Sequence, residues 1–132
     1  MTQPQAALLA ALLLAILALF HLALALGAPF GALAWGGQAE GQLSQRLRTG
    51  SALLSALIIG MAVVVLIRGG WIWADDARSM TIPVWCVVLF LVLQLGGALR
   101  SASSRERLVM TPLYIVAAAA AAYASYSPTL AG

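Results

Sequence analysis

Residues 6–27 read AALLAALLLAILALFHLALALG, an apolar run of 22 residues without Asp, Glu, Lys or Arg. A helix needs roughly 20 such residues to cross the hydrocarbon core of a bilayer, which is about 30 Å thick. Three more uncharged apolar runs follow, at 51–67, 83–99 and 108–126. Because each run is near or above the spanning length, the sequence predicts four transmembrane helices, at about 6–27, 51–67, 83–99 and 104–126.

The composition indicates a chain that lies almost wholly within the membrane. Its 132 residues are 63% hydrophobic and only 8% charged, whereas soluble domains carry about 25% charged residues. We therefore predict an all-α fold, a four-transmembrane-helix bundle with short loops and a glycine-rich first loop. The bundle is expected to form a single domain over residues 1–132. Since Met1–Gln5 has no basic side chain, the first run is expected to be a retained helix rather than a cleaved signal.

The net charge of +3 comes from arginine alone, because the chain has no lysine. This charge is too small and too scattered for a nucleic-acid-binding face, which needs a basic patch. The expected partners are therefore the lipid bilayer and, through helix faces, a second copy of the chain or a larger membrane complex. No nucleic acid is expected to bind.

The arginines are divided unevenly between the two sides that four helices define. The side with the termini and the second loop holds Arg68 and Arg78, which Asp75 and Asp76 offset. The charges on the side with the first and third loops include Arg46, Arg48, Arg100, Arg105, Glu106 and Arg107. Short cytoplasmic loops are enriched in Lys and Arg. We therefore expect loops one and three in the cytoplasm and both termini outside.

Small residues recur at a spacing of four in the first two runs, where they allow helix backbones to approach closely. They are Ala7, Ala11 and Ala15 in the first run, and Ala52, Ala56 and Gly60 in the second. We expect these faces to hold the bundle together, with a dimer surface as the alternative.

The fourth helix has a recognisable start. Ser103 followed by Glu106 matches a capping box, in which each side chain bonds a free backbone N–H. Pro112 then lies inside the helical pattern and is expected to kink the helix near Leu108. The alternative, with Thr111 as the cap and Pro112 as the first helical residue, leaves a helix that is short for a span.

The segment between the first two helices, residues 28–50, is long and apolar for a loop. Long loops without regular structure are uncommon and often functional. Its first half is expected to lie in the membrane interface or to dip back into the protein, where irregular backbone is shielded from lipid; the alternative is a flexible hairpin anchored by Trp35. The residues that define this loop motif are Gly31, Trp35, Gly36, Gly37 and Gln38.

Three segments carry a resemblance to known proteins: Gly31-x-x-Ala34-Trp35-Gly36-Gly37-Gln38, Leu47-Arg48-x-x-Ser51 and Arg68-x-Gly70. They resemble a group of small bacterial four-helix integral membrane proteins of unknown function. Glu106, Arg107 and Pro112 match the group's last helix, whereas Ser44 stands where the group commonly has proline. The resemblance implies a four-helix fold in the bacterial inner membrane and implies no activity.

Strongly polar side chains are rare inside the apolar runs. His21 and Gln94 each lie six residues from the predicted inner end of their helix, about 9 Å below the boundary at 1.5 Å per residue. Ser55 and Tyr114 enter the membrane from the same side, so the four form a candidate polar cluster. Two interpretations stay open: a structural hydrogen bond between His21 and Gln94, or a proton or ligand site.

Residue sets for catalysis are missing from the sequence. One His and one Cys, far apart, form no zinc site, and the spans hold no paired carboxylates. Cys86 is the only cysteine, so no intrachain disulfide forms. We expect no enzyme activity, metal or cofactor. The leading hypothesis is a non-enzymatic structural or accessory membrane component; the alternative is a small transporter, or a lipid- or small-molecule-binding protein that uses the polar cluster.

Overall fold

The computed structural model describes residues 1–37 and 41–126, and it is an all-α four-helix bundle. Within these residues no strand occurs. The predicted fold class is confirmed. Its helices are α1 (Gln3–Ala25), α2 (Gln45–Arg68), α3 (Thr81–Leu99) and α4 (Ser104–Tyr126). All four are long and apolar enough to cross a membrane, so the chain is a multi-pass membrane protein.

Polar residues extend two helices beyond their apolar runs. The Thr2 hydroxyl accepts a hydrogen bond from the Gln5 N–H and so caps α1. The Ser44 hydroxyl accepts from the Leu47 N–H at 3.5 Å, so α2 begins at Gln45 rather than at Ser51. The apolar run marks the part of a helix that lies in hydrocarbon, whereas the cap determines where the helix begins.

A 3₁₀ segment, Ala74–Met80, leads directly into α3. It carries Asp75, Asp76 and Arg78, and large exposed apolar side chains precede it at 71–73. Trp71 donates from its indole N–H to the Pro4 carbonyl at 2.8 Å, which ties this connection to the start of α1.

The helices pack in the order α2, α1, α4, α3. The central helix α1 contacts α2 along most of its length and α4 on its other side, while α3 packs mainly on α4. The core between them is built largely of alanine and leucine, including Ala10, Leu14 and Ala121. Helices α2 and α3 contact each other little, and an apolar groove of about 640 Å³ lies between them, lined by Gly60, Pro83 and Cys86 among others.

The predicted small-residue faces are only partly the packing faces. Ala7 and Ala11 are buried in the core, whereas Ala15 is exposed. All three small residues of the α2 face, Ala52, Ala56 and Gly60, are exposed, so the expectation that this face holds the bundle together is wrong. The α2 residues that pack inward are Ser51, Ser55, Ile58 and Val65.

Helix α4 runs without interruption through Pro112, so the alternative in which Thr111 caps a shorter helix is wrong. The alanine run of this helix supplies much of the buried surface at its far end, where Ala117, Ala121 and Ala124 are almost fully buried. Small side chains bring α4 close to α1, because they keep the backbones near each other.

The two ends of the bundle differ in character. The arginine-rich end holds loops one and three, with Arg46, Arg48, Arg100, Arg105 and Arg107. The opposite end holds the start of α1, the end of α2, the start of α3 and the end of α4.

Side-chain hydrogen bonds join the helices at the opposite end. Gln3 donates to the Arg68 carbonyl at 2.7 Å and to the Ala124 carbonyl at 3.2 Å. Arg68 is buried and donates to the Ser125 carbonyl at 2.9 Å. Ser125 in turn donates to the Thr81 carbonyl at 3.1 Å. Arg68 therefore belongs to the bundle interior and not to a solvated loop.

Candidate functional site

A cavity of about 260 Å³ lies inside the arginine-rich end of the bundle. Side chains from all four helices line it, and the first loop covers it; we call it the loop-covered pocket. Its lining residues are His21, Ala34, Trp35, Gly36, Leu54, Gln94, Gly97, Ala98, Glu106 and Tyr114. A cavity with several polar groups on an otherwise apolar wall is the usual form of a small-molecule site.

Three members of the predicted polar cluster, His21, Gln94 and Tyr114, meet in this pocket. Ser55 does not join them. Its hydroxyl donates to the Ala18 carbonyl at 2.8 Å, so it serves the contact between α1 and α2, beside a separate apolar groove on the surface. A serine on the helix face that packs against a neighbour commonly bonds that neighbour's backbone.

His21 is only 4% exposed, and its Nδ1 has no hydrogen-bond partner among residues 1–37 and 41–126. Its ring stands edge-to-face against Phe20, with the ring centroids 5.4 Å apart. Within the described chain, no hydrogen bond joins His21 to Gln94, so the predicted contact between them is not made. Both side chains line the cavity. A buried polar group without a partner is rare in proteins and calls for an explanation.

Glu106 is the charged group of the pocket. In the sequence it groups with the loop arginines and not with the polar cluster. Its side chain is 6% exposed, and its Oε2 accepts a hydrogen bond from the Ser101 hydroxyl at 2.6 Å. The predicted capping box is present in part. The Glu106 N–H donates to the Ser103 hydroxyl at 3.4 Å, but the Ser103 N–H donates to the Ser101 hydroxyl at 3.1 Å rather than to Glu106. Ser101 therefore takes the place of the direct return bond and holds the carboxylate at the pocket.

Trp35 is held in place at the pocket by a hydrogen bond from the first loop to α2. Its indole N–H donates to the Ser51 hydroxyl at 3.0 Å, and its backbone has a positive φ of 55°. A Cβ added at Gly50 would lie 3.0 Å from the Trp35 ring, so glycine gives the ring room to lie against α2. The described part of the loop is therefore anchored on the bundle through Trp35, and it contains two 3₁₀ segments, Gly31–Leu33 and Trp35–Gly37.

The glycines of the loop motif attach the first loop to the third. Gly36 accepts a hydrogen bond from the Ala102 N–H at 3.2 Å. A Cβ added at Gly37 would lie 2.7 Å from the Cβ of Ser103, so only glycine allows this approach. Gly31 is buried and donates from its N–H to the Gly41 carbonyl at 2.9 Å. Gln38, the last residue of the predicted loop motif, lies outside the described residues.

The arginines at this end take different roles. Arg48 donates from Nε to the Ala25 carbonyl at 3.1 Å, where a cation suits the carbonyl end of α1. Arg107 donates to the Ser101 carbonyl. Arg46, Arg100 and Arg105 are exposed, and Arg105 also lines a second, more polar pocket of about 460 Å³ with Gly37 and Ser103, where the first loop meets the third.

Sequence reasoning missed Leu54, Gly97, Ala98 and Ser101. The first three carry no polar signal, and they line the pocket only because of how the helices are rotated. Ser101 had a readable signal, since serines at 101, 103 and 104 surround the start of α4 just before Glu106. Within the part of the chain that the structure describes, no group of three or more His, Cys, Asp or Glu residues is placed to hold a metal ion.

Comparisons with protein-family models, with curated proteins and with solved structures find no match to this chain. The resemblance to small bacterial four-helix membrane proteins therefore stays an expectation. The geometry of the pocket is therefore the basis for the function proposed below.

Proposed function

We propose that this membrane protein binds a small polar molecule in the loop-covered pocket, either as a binding protein or as a small transporter. The observation that carries the proposal is a 260 Å³ cavity lined by two buried polar side chains, His21 and Glu106, for which the bundle provides few partners. Keeping polar groups at a cavity within a membrane protein costs stability. Such groups are usually retained for a ligand or ion pathway.

The role that we propose is binding rather than catalysis. The polar groups of the pocket are one imidazole, one carboxylate, one amide and one phenol. Cys86, the chain's only thiol, is exposed on α3 beside the α2–α3 groove and does not line the pocket. We further propose that the arginine-rich end faces the cytoplasm, since short arginine-rich loops favour that side.

The test uses the indole N–H signals of the protein in lipid nanodiscs. Trp35 lines the pocket, whereas Trp71, Trp73 and Trp85 are outside it, so their four signals report binding and provide internal controls. The probes are choline, ethanolamine, 3,3-dimethylbutan-1-ol and acetate, which are small solutes of different charge. We expect at least one probe to shift the Trp35 signal and to leave the other three unchanged.

Two adjacent glycines of α3 provide a matched pair of variants. A Cβ at Gly96 or at Gly97 meets no atom within 4 Å, but only Gly97 lines the pocket. Gly97→Leu should fill the cavity and abolish the shift of Trp35, while Gly96→Leu should preserve it. If no probe shifts Trp35 selectively, or if both variants bind as the wild type does, the pocket is not a binding site.

A second candidate function is the structural or accessory role, and one observation favours it. The small-residue face of α2, comprising Ala52, Ala56 and Gly60, is not covered by the bundle. Such faces promote close helix packing in lipid, so a second copy or a membrane partner would fit there.

Gentle detergent purification with native mass measurement tests this role. The wild type should be larger than a monomer, and Gly60→Leu should reduce it to a monomer. A wild-type monomer without any co-purifying protein would argue against it.

A further inference from the structure

The electrostatics of the loop-covered pocket indicate the charge of its ligand. Glu106 is 6% exposed and its carboxylate accepts a hydrogen bond from Ser101. Among the described residues, none forms an ion pair with it. Carboxylates are almost never fully buried unless they are paired, because removing a charge from water costs several kcal/mol of solvation. The position at the start of α4 offsets part of this cost through the helix dipole.

The nearest arginines in sequence do not supply the missing positive charge. Arg107 directs its guanidinium to the Ser101 carbonyl. Arg105 is exposed and lines the second pocket, where the first loop meets the third. Although five arginines lie at this end of the bundle, none lines the loop-covered pocket. The pocket is therefore negative within a positively charged end.

The other polar groups of the pocket are able to accept hydrogen bonds. His21 lines the cavity, is 4% exposed, and has an Nδ1 without a partner in the described chain. The Gln94 carbonyl and the Tyr114 hydroxyl are further acceptors. A ligand that carries N–H or O–H groups would supply donors for them.

Two aromatic rings complete the wall. Trp35 is fixed by its bond to Ser51, and Tyr114 lies in the same pocket. Indole and phenol faces attract organic cations through their ring quadrupoles, and the attraction grows when water is excluded. An anion would instead be repelled by Glu106, and a neutral solute would leave the carboxylate unpaired.

We propose that the loop-covered pocket binds a small organic ammonium ion, with Glu106 as the counter-charge. The proposal rests on the proposed binding function and assigns the class of its ligand. The ammonium group belongs either to a free amine or to the headgroup of a lipid such as phosphatidylethanolamine, since the pocket lies at one end of the membrane-spanning bundle.

Choline and 3,3-dimethylbutan-1-ol provide the decisive comparison, because they share one shape and differ in charge. In nanodiscs of phosphatidylglycerol, we expect choline or ethanolamine to shift the Trp35 signal with an affinity roughly tenfold or more above that of the neutral alcohol, because the alcohol lacks both the positive charge that Glu106 attracts and the cation–π contact with the aromatic rings. Acetate should cause no shift. This comparison uses the wild-type protein and needs no variant to fold.

Glu106→Gln then isolates the charge. Glutamine keeps the size of the side chain and a carbonyl that accepts from Ser101, but it removes the negative charge. We expect the preference for choline over its neutral analogue to disappear. The control is Asp76→Asn, which removes an exposed carboxylate at the opposite end. This variant should keep the preference for choline over its neutral analogue. The signals of Trp71, Trp73 and Trp85 verify that each variant is folded.

The source of the ammonium group is determined by a separate arm, in which the nanodiscs contain phosphatidylethanolamine and no added amine. A shift of Trp35 in these discs, without a response to free ethanolamine in phosphatidylglycerol, assigns the site to a lipid headgroup; the reverse assigns it to a free amine. If the neutral alcohol or acetate binds as tightly as choline, the ammonium proposal is wrong while the binding function stands. If no probe or lipid shifts Trp35, both are wrong.

Discussion

Two adjacent glycines in the first loop, Gly36 and Gly37, both have positive φ, at 68° and 73°. Their surroundings differ. A Cβ at Gly36 would meet no atom within 4 Å, whereas one at Gly37 would lie 2.7 Å from the Cβ and 2.8 Å from the N of Ser103. One position is therefore restricted by backbone conformation alone and the other by conformation and contact together.

This difference predicts unequal effects of the same substitution. Gly36→Ala should lower the free energy of unfolding by about 1–2 kcal/mol, the cost of a left-handed backbone for a residue with a Cβ. Gly37→Ala should cost more and should move the first loop away from Ser103. Unfolding in detergent measures the stability of both variants, and the Trp35 indole signal reports whether the first loop has moved. Equal stability of the two variants would show that the loops do not contact each other at Gly37.

His21 is a second residue whose cost to stability is visible in the structure. Its Nδ1 is buried without a partner in the described chain, and such a group costs about 1–3 kcal/mol. His21→Leu should therefore raise the free energy of unfolding by up to that amount, while it weakens binding of choline. A loss of stability would indicate that Nδ1 has a partner in the membrane-embedded protein.

Gln94→Leu, in the same pocket, completes a double-mutant cycle with His21→Leu. Because no hydrogen bond joins the two residues within the described chain, we expect a coupling energy below about 1 kcal/mol, at the low end for residues that share a cavity. A coupling above 1 kcal/mol would restore the direct contact that the sequence predicted.

Among the helices, α2 uses one side for the core and leaves its small-residue face to the exterior. The core side packs Ser55 and Ile58 against α1. On the other side, a Cβ at Gly60 would meet no atom within 4 Å, while one at Gly69, at the end of the helix, would collide with the Cβ of Ala7. Of these two glycines, Gly69 at the end of the helix is therefore the one that the close approach of α1 and α2 requires, whereas Gly60 is not.

Two glycine-to-alanine substitutions test this division. Gly60→Ala should stabilise the monomer by up to about 1 kcal/mol, because alanine is the better helix former and the added methyl has space. Gly69→Ala should destabilise it, since the methyl would separate α1 from α2. Thermal unfolding in detergent compares the two. If Gly60→Ala is the more harmful, the middle of α2 is a packing face after all.

The whole molecule has two chemically different ends. The arginine-rich end presents Arg46, Arg100, Arg105 and Arg107 to the exterior. At the opposite end Arg68 is buried among the helix ends, which leaves Arg78 as the exposed arginine of the described residues there. The positive charge that faces solvent is therefore more one-sided than the sequence count indicated, and this asymmetry favours a cytoplasmic arginine-rich end.

The orientation can be measured with cysteines in a Cys86→Ser background. Thr2 and Gln45 are exposed at opposite ends. Thr2→Cys should react with a membrane-impermeant thiol reagent in intact cells, and Gln45→Cys should react only after the cells are permeabilised. The reverse pattern would place the arginine-rich end outside and would contradict the argument from charge. Thr129→Cys is expected to react as Thr2→Cys does; Thr129 itself lies outside the described residues.

The sequence alone predicted the number of helices and their transmembrane character, and it identified polar residues that line the pocket. Spans are readable because every backbone polar group in hydrocarbon must be bonded within its own helix, so that length and apolarity decide. Distance from the predicted helix ends put His21 and Gln94 at one depth, and the capping-box pattern put Ser103 and Glu106 at the start of α4. Ser44 also matches the residue preference for the N-cap of α2, a signal that the apolar run does not carry.

Tertiary structure decided which of these residues meet. Alanine, leucine and glycine occur on every side of these helices, so the sequence carries almost no signal for how each helix is rotated. That rotation turned Ser55 toward the Ala18 carbonyl and turned Gly60 outward, and it brought Glu106 into the pocket beside His21. Contacts between helices in lipid depend on close fit rather than on a hydrophobic driving force, and fit becomes visible only when the helices are assembled.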